Sequence, residues 1–237
     1  MSAVSVSNLD SFLFEQEGAL AKVIFNRPAK RNGLDLQVML EFERIVHYVR
    51  DAGDIKVLVL AGNGKAFCAG ADITLLRDAA TDEKRAQVQT DMARLPRVLG
   101  RVFDVMTHMD VVSIAAVNGY AIGGGWTIAL ACDHVVAAAD AQFWLPEVEM
   151  GTAFRGLASV KLTHALGPAL AKEAMILGRR FSGEELARLH LVNQACEPAE
   201  LEAQARKTAE AYLALPWRAV VSTRRDIQAN LFGPQHF

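Results

Sequence analysis

The sequence predicts an α/β fold: parallel strands joined by helical crossovers, followed by a helical region. Three observations point there. Two short apolar runs rich in branched residues, KVLVLA at 56–61 and VVSIAAV at 111–117, have the composition of strands buried on both faces. Each leads into a glycine turn and then a helical pattern, so successive strands are separated by crossovers and should pair in parallel. Beyond residue 154 only helical patterns remain.

Taken in order, ALAKVIFN at 19–26 reads as a strand running into the turn Arg27-Pro28-Ala29-Lys30. Asp35 is an N-cap for a helix whose apolar positions Leu36, Met39, Leu40, Ile45 and Val49 keep near-helical spacing. The 56–61 strand opens into the loop GNGKAFCAGAD, and the long polar stretch 74–108 reads as helix. The 111–117 strand opens into VNGYAIGGG and an apolar helix, then two short strands, HVVAAA at 134–139 and AQFWLPE at 141–147. Helices are expected over 157–166, 168–177, 183–189, 200–213 and 217–229, and no Pro/Gly/Ser linker or low-complexity segment divides the chain.

Composition narrows the functional classes. The 237 residues are 51% hydrophobic and 22% charged with net charge −2, so no electrostatic footprint for nucleic acid or an anionic membrane stands out. Cys68, Cys132 and Cys196 are scattered and form no CxxC pair, as expected of reduced thiols in a cytoplasmic setting. The six histidines lack HxxxH or HExxH spacing, which gives a metal site no support. The N-terminus lacks a basic segment followed by a long apolar one, so no signal peptide is expected. Between Asp110 and Asp133 there is no charge, a length that spans a bilayer. Ser113, Asn118 and the glycines interrupt that stretch and both flanks are acidic, so a buried strand, loop and helix is the better reading.

Two loops share one design: KVLVLA…FCAGADI and VVSIAAV…NGYAIGGGWTIAL each leave a buried strand, turn on glycines and enter a helix. A helix N-terminus exposes backbone N–H groups with no internal partner, backed by the positive end of the helix dipole. Small residues there, Ala71 beside Gly70 and the run Gly123-Gly124-Gly125, let a ligand oxygen reach the backbone. Two such N–H groups meeting at one point make an oxyanion hole. Neither loop is a phosphate loop, since no GK[ST] follows, and GxGxxG is absent.

Together and in this order the motifs resemble the crotonase superfamily, the enoyl-CoA hydratase/isomerase group. The resemblance rests on NRPAKRNGL (26–34), VLAGNGKAFCAGADI (59–73), VNGYAIGGG (117–125), ALACD (129–133), AQFWLPEVEMG (141–151) and LGRRFSGEELARLHLVN (177–193). It implies a crotonase-like spiral of ββα units over 1–190, a C-terminal helical trimerisation region over 191–237, and a homotrimer or hexamer. It also implies an acyl-CoA thioester as substrate, with coenzyme A carried by the substrate and no separate cofactor. The implied oxyanion donors are the N–H groups of Ala71 and Gly124, with Gly123 in the same turn. The implied CoA-binding loop holds Lys30 and Arg31, with adenine near Ala69, Ala71, Asp72 and Ile73. Trp126 and Trp144 flank the key motifs, and the expectation is that they line the acyl tunnel or the core.

The acid/base set departs from the family's hydratases, which use two glutamates. The second is present as Glu147 in LPEVEMG, but the position after GGG-x holds Thr127. A carboxylate among Leu145, Pro146 and Val148 should have a raised pKa, poised to take and return a proton. Thr127 cannot ionise; its hydroxyl either orients a substrate hydroxyl or a water, or belongs to the first helical turn and nothing more. The single-base pattern resembles that of 3-enoyl-CoA to 2-enoyl-CoA isomerases. Hydroxycinnamoyl-CoA hydratase-lyases and carboxymethylproline synthases are also similar, so the reaction stays open among isomerisation, hydration, lyase and C–C bond chemistry. A non-catalytic CoA-binding homologue is the rival from another class.

Three further residues bear on the site. Glu149 should point away from Glu147 if the segment is extended. Arg155, in GTAFRGLAS where many hydratases have Pro-Gly, either binds a substrate carboxylate, pairs with Glu147 or Glu149, or is a surface residue capping nearby backbone. Cys68 has no base near it in sequence and reads as a small hydrophobe. Relatives usually run on past the VVSTRRDIQAN segment into one more helix; the sequence here stops at Phe237.

Overall fold

The computed structural model describes residue 6 and residues 9–153 and 156–232. The chain begins with a hairpin, β1 (Phe12–Glu17) and β2 (Leu20–Phe25), turned at Gly18, whose φ of 57° suits glycine. The reading from sequence began at residue 19 and missed β1. Helix α1 (Leu36–Asp51) starts where Asp35 accepts a hydrogen bond from the Val38 amide. Its buried residues Val38, Met39, Phe42, Ile45, Val46 and Val49 make one apolar stripe against the sheet.

Strands β3 (Val57–Gly62) and β4 (Ala66–Cys68) are followed by helices α2 (Thr74–Asp78) and α3 (Asp82–His108). The stretch expected as one helix over 74–108 is thus two, and Thr81 caps the second through the Lys84 amide. Then come β5 (Val112–Val117), β6 (Tyr120–Ile122), α4 (Gly124–Ala131), β7 (His134–Ala138) and β8 (Gln142–Trp144). The uncharged stretch 110–133 is therefore strand, short strand and buried helix, and among the described residues no helix is long and apolar enough to cross a membrane.

The last third holds α5 (Leu157–Ile176), β9 (Phe181–Ser182), α6 (Gly183–Arg188), β10 (Gln194–Cys196), α7 (Leu201–Leu213) and α8 (Trp217–Phe232). The two helices expected over 157–177 meet at Gly167, whose φ of 72° breaks the helical path. β9 and β10 correct the expectation of helices alone; each is too short, at two and three residues, to carry a period of its own.

A six-stranded sheet has the order β1-β2-β3-β5-β7-β10, all parallel except the β1–β2 hairpin. A four-stranded sheet has the order β4-β6-β8-β9. On one face of the larger sheet Phe12, Phe25, Phe42 and Phe67 pack with ring centroids 4.8–5.6 Å apart. On the other face Val57, Val59, Val112, Ile114 and Val136 meet Leu201, Ala205 and Ala209 of α7. Burying each such side chain contributes on the order of 2 kcal/mol. Strand β3 therefore has a core on both sides, as its unbroken apolar run predicted.

Helix α8 is fastened by one buried cation. Arg224 Nε donates to Asp133 Oδ1 at 2.8 Å, and its other nitrogens donate to the carbonyls of Met106, Thr107 and Met109 at the end of α3. The other Asp133 oxygen accepts from the Ser113 amide and hydroxyl.

Candidate active site

The site is built where the two sheets hand the chain to helices. Asn32, buried and in the left-handed region at φ 56°, sends its side-chain amide to the carbonyls of Asn63, Ala66 and Phe67. That fixes the NRPAKRNG loop onto β4. The loop is then stapled to the FCAGAD segment: Ala69 N donates to Arg31 O, Leu34 N to Gly70 O and Asp72 N to Leu34 O, at 2.7–3.1 Å. These bonds leave the Ala71 amide without an acceptor among the described residues, and Ala71 is exposed.

The second loop lies directly on the first. Gly70, at φ 75°, has its open side 2.6 Å from Ile122 O and 3.4 Å from Gly124 N, measured from where a Cβ would stand. A Cβ on Gly125 would fall 2.0 Å from the Cys68 carbonyl oxygen, so α4 packs on β4 with no room for any side chain. That is the physical reason for consecutive glycines in so apolar a place. Gly123 sits at φ 51° and ψ −118°, its amide donating to Trp144 O at 3.0 Å. Gly124 opens α4, and its amide has no side-chain cap and no acceptor among the described residues. On its open side stand Leu34 Cδ1 and Leu99 Cδ2, at 3.2 and 3.9 Å from a Cβ position.

Glu147 comes to this point from the turn after β8. Its carboxyl lies against Gly123, and its Oε2 is buried with no hydrogen-bond partner. Burial pushes its pKa up from the ordinary carboxylate value. The segment is a turn rather than a strand, with Met150 N and Thr152 N donating to Glu147 O. The extended backbone that would set Glu149 opposite Glu147 is therefore not formed. The outcome still separates them: Glu149 Oε1 lies beside Gly178, on the α5 side.

The remaining expected residues divide. Thr127 is 1% exposed and its hydroxyl donates to Gly123 O at 2.9 Å, bonding the turn of α4 it belongs to. The first-turn reading is the one this geometry fits, with the hydroxyl proton spent inside the helix and only its lone pairs left for another group. Trp126 is 1% exposed between Phe143 and Phe181, so of the two places expected for it, acyl tunnel or core, it takes the core and is no substrate-binding residue. Trp144 is half-buried, with Arg180 stacked on its ring at 4.6 Å. Lys30 is half-exposed and Arg31 stacks on Tyr120 at 5.9 Å. Asp72 is buried, Ala69 partly so, and Ile73 is 52% exposed beside the open Ala71. Arg155 lies outside the described residues. Cys68 is wholly buried and its thiol is pushed up to about 12, consistent with a packing role. Among the described residues no group of His, Cys, Asp and Glu is placed to hold a metal ion.

Leu34, Leu99 and Asn32 were assigned no role from the sequence. Asn32 carried one usable signal, an asparagine ahead of a glycine in a loop, where left-handed backbone is tolerated. Leu99 carried none, being one leucine in a polar helix.

A family model described as enoyl-CoA hydratase/isomerase matches residues 15–232. The crotonyl-CoA hydratase of Syntrophomonas wolfei is 33% identical over 201 residues, 84% of this chain and 74% of that protein. The short-chain-enoyl-CoA hydratase of Clostridium acetobutylicum is 32% identical over 203 residues, covering 85% and 74%. Among solved structures, an enoyl-CoA hydratase subunit from Geobacillus kaustophilus superposes with a TM-score of 0.80 at 32% identity, over 96% of this chain and 85% of that one. Amides left open on two abutting loops, a half-buried carboxyl beside them and these likenesses agree: the chain belongs to the enoyl-CoA hydratase/isomerase family of enzymes.

Proposed function

We propose that this enzyme moves a proton at the carbon next to the carbonyl of an enoyl-CoA thioester, with one carboxylate and two backbone amides. The amides of Ala71 and Gly124 hold the oxygen that becomes negative as the enolate forms. Glu147 takes the proton from one carbon and returns it to another on the same face, which is double-bond isomerisation. The carrying observation is Glu147 itself: half-buried, raised in pKa and with one buried oxygen free of any partner, while Thr127 supplies no second carboxylate. Lys30 and Arg31 offer cations to the phosphates of coenzyme A, which the substrate brings with it, so no other cofactor enters the step. A homotrimer or hexamer is part of this reading. Its support is the exposure of the large apolar residues Val148, Met150, Ile176 and Leu177, at 41–70%.

Hydration is the second reading, favoured by the relatives' names as hydratases. The test supplies 3-enoyl-CoA and 2-enoyl-CoA thioesters to the wild type and to Glu147→Gln, following double-bond position, hydration and uptake of solvent deuterium. Isomerisation lost with Glu147→Gln is the expected result. Hydration alone, equally sensitive to the substitution, would select the second reading. Lyase or C–C bond activity would redirect it, and binding without turnover of any thioester would leave a CoA-binding protein.

A further inference from the structure

Asp72 has a buried carboxyl that the proposed proton transfer does not use. Its side chain is 4% exposed and Oδ2 has no hydrogen-bond partner. Oδ1 is occupied, accepting from the Thr74 amide at 3.2 Å and hydroxyl at 2.5 Å. Two cations flank Oδ2 beyond hydrogen-bond reach: Lys30 Nζ at 3.7 Å and Arg27 Nη2 at 3.8 Å. Arg27 is already committed, donating to Asp35 at 2.8 Å and to Gly33 O at 3.0 Å. Lys30 is not; its side chain is 47% exposed and Asp72 is its one ionic contact among the described residues.

The position of this carboxylate matters because Asp72 directly follows Ala71, and its own amide is the one that bonds Leu34 O. A negative group there opposes a negative oxygen at the Ala71 amide unless a cation neutralises it. The same group puts the Lys30 ammonium, at 3.7 Å, in ionic contact with the Ala71 segment. We propose that Asp72 is a positioning residue linking Lys30 to the Ala71 amide, so that contacts at the phosphate-bearing end of the thioester act on the rate of proton transfer and not only on binding. This rests on the function proposed above.

A remote contact that serves the reacting centre is seen in kcat, and a contact that only binds is seen in KM. The experiment compares CoA and pantetheine thioesters of one acyl group, the latter lacking the nucleotide phosphates. The wild type should show a kcat about 10-fold higher on the CoA thioester. In Asp72→Asn that advantage should shrink to within about twofold, and Lys30→Met should do the same, with the double variant no worse than either. Lys30 is half-exposed, so its variant carries the test even if Asp72→Asn folds poorly. Three results would overturn the proposal: no kcat advantage in the wild type, equal loss on both thioesters in Asp72→Asn, or a Lys30→Met effect confined to KM. Inertness of the wild type toward both thioesters is a different failure, that of the proposed function.

Discussion

Glu147 and Gly123 are in contact: a Cβ on Gly123 would stand 2.4 Å from Oε1 of the glutamate and 3.4 Å from its carboxyl carbon. The carboxyl therefore rests where only glycine leaves space. Gly123→Ala should act twice, by displacing that carboxyl and by straining a backbone at φ 51°. The strain should cost about 1–3 kcal/mol of stability, read as a lowered midpoint in urea. Turnover should fall at least about 10-fold. Full activity with a lowered midpoint would mean that the contact has no catalytic part.

The raised pKa of Glu147 gives a signed pH dependence. As a base it works ionised, so kcat/KM should fall on the acid side with a midpoint above the ordinary 4.5 of a glutamate. Stability runs the other way. The folded protein binds this proton more tightly than the unfolded chain, so the carboxyl's contribution is complete below the unfolded pKa and is lost as pH rises through the folded one. Glu147→Gln should leave at most residual turnover, with no such acid limb, and should flatten that part of the stability profile. A limb unchanged in the variant would assign it to another group.

Most of the framework was legible because it rests on composition. Strands β3 and β5 are apolar in sequence apart from Ser113 and are packed on both faces. Asp35 caps α1 as its residue type predicted. What stayed hidden depends on partners far along the chain. β9 and β10 exist only by pairing with β8 and β7. β1 buries only Phe12 fully and Phe14 in part, too little to make a core signal of its own. In the site, glycine spacing and Glu147 could be read directly, whereas Thr127 had two readings until its hydroxyl was seen bonded to Gly123 O. Trp126 could not be assigned to core or tunnel before Phe143 and Phe181 were seen around it.

Thr127→Val tests whether that hydroxyl takes part in the chemistry. The substitution keeps the shape and removes one bond to the Gly123 carbonyl, which also accepts from the Thr127 amide at 3.0 Å. A loss of about 1 kcal/mol in stability is expected, with the ratio of hydration to isomerisation unchanged. A shift in that ratio of more than about 10-fold, roughly 1.4 kcal/mol between the two barriers, would return Thr127 to the reacting groups.

The pair of Arg224 and Asp133 should decide whether α8 stays on the body. Arg224 is 7% exposed and closes four carbonyl and carboxylate acceptors at once, while Gln228 adds a fifth contact to the same aspartate. Arg224→Met leaves the Asp133 charge buried with a weaker set of donors, at a cost of about 3–5 kcal/mol. Because the carbonyls at the end of α3 also lose their partner, loss should begin at α8, and protease should cut near residue 217 before the core opens. Lys161, held close by at 3.4 Å from Cys132 O and with its pKa lowered by burial, is a poor substitute for that cation. Asp133→Asn combined with Arg224→Met should cost less than the two single losses added, since the second change removes the charge that the first left stranded. Strict additivity in urea titrations would show that the two side chains contribute separately and that α8 is held by its apolar contacts instead.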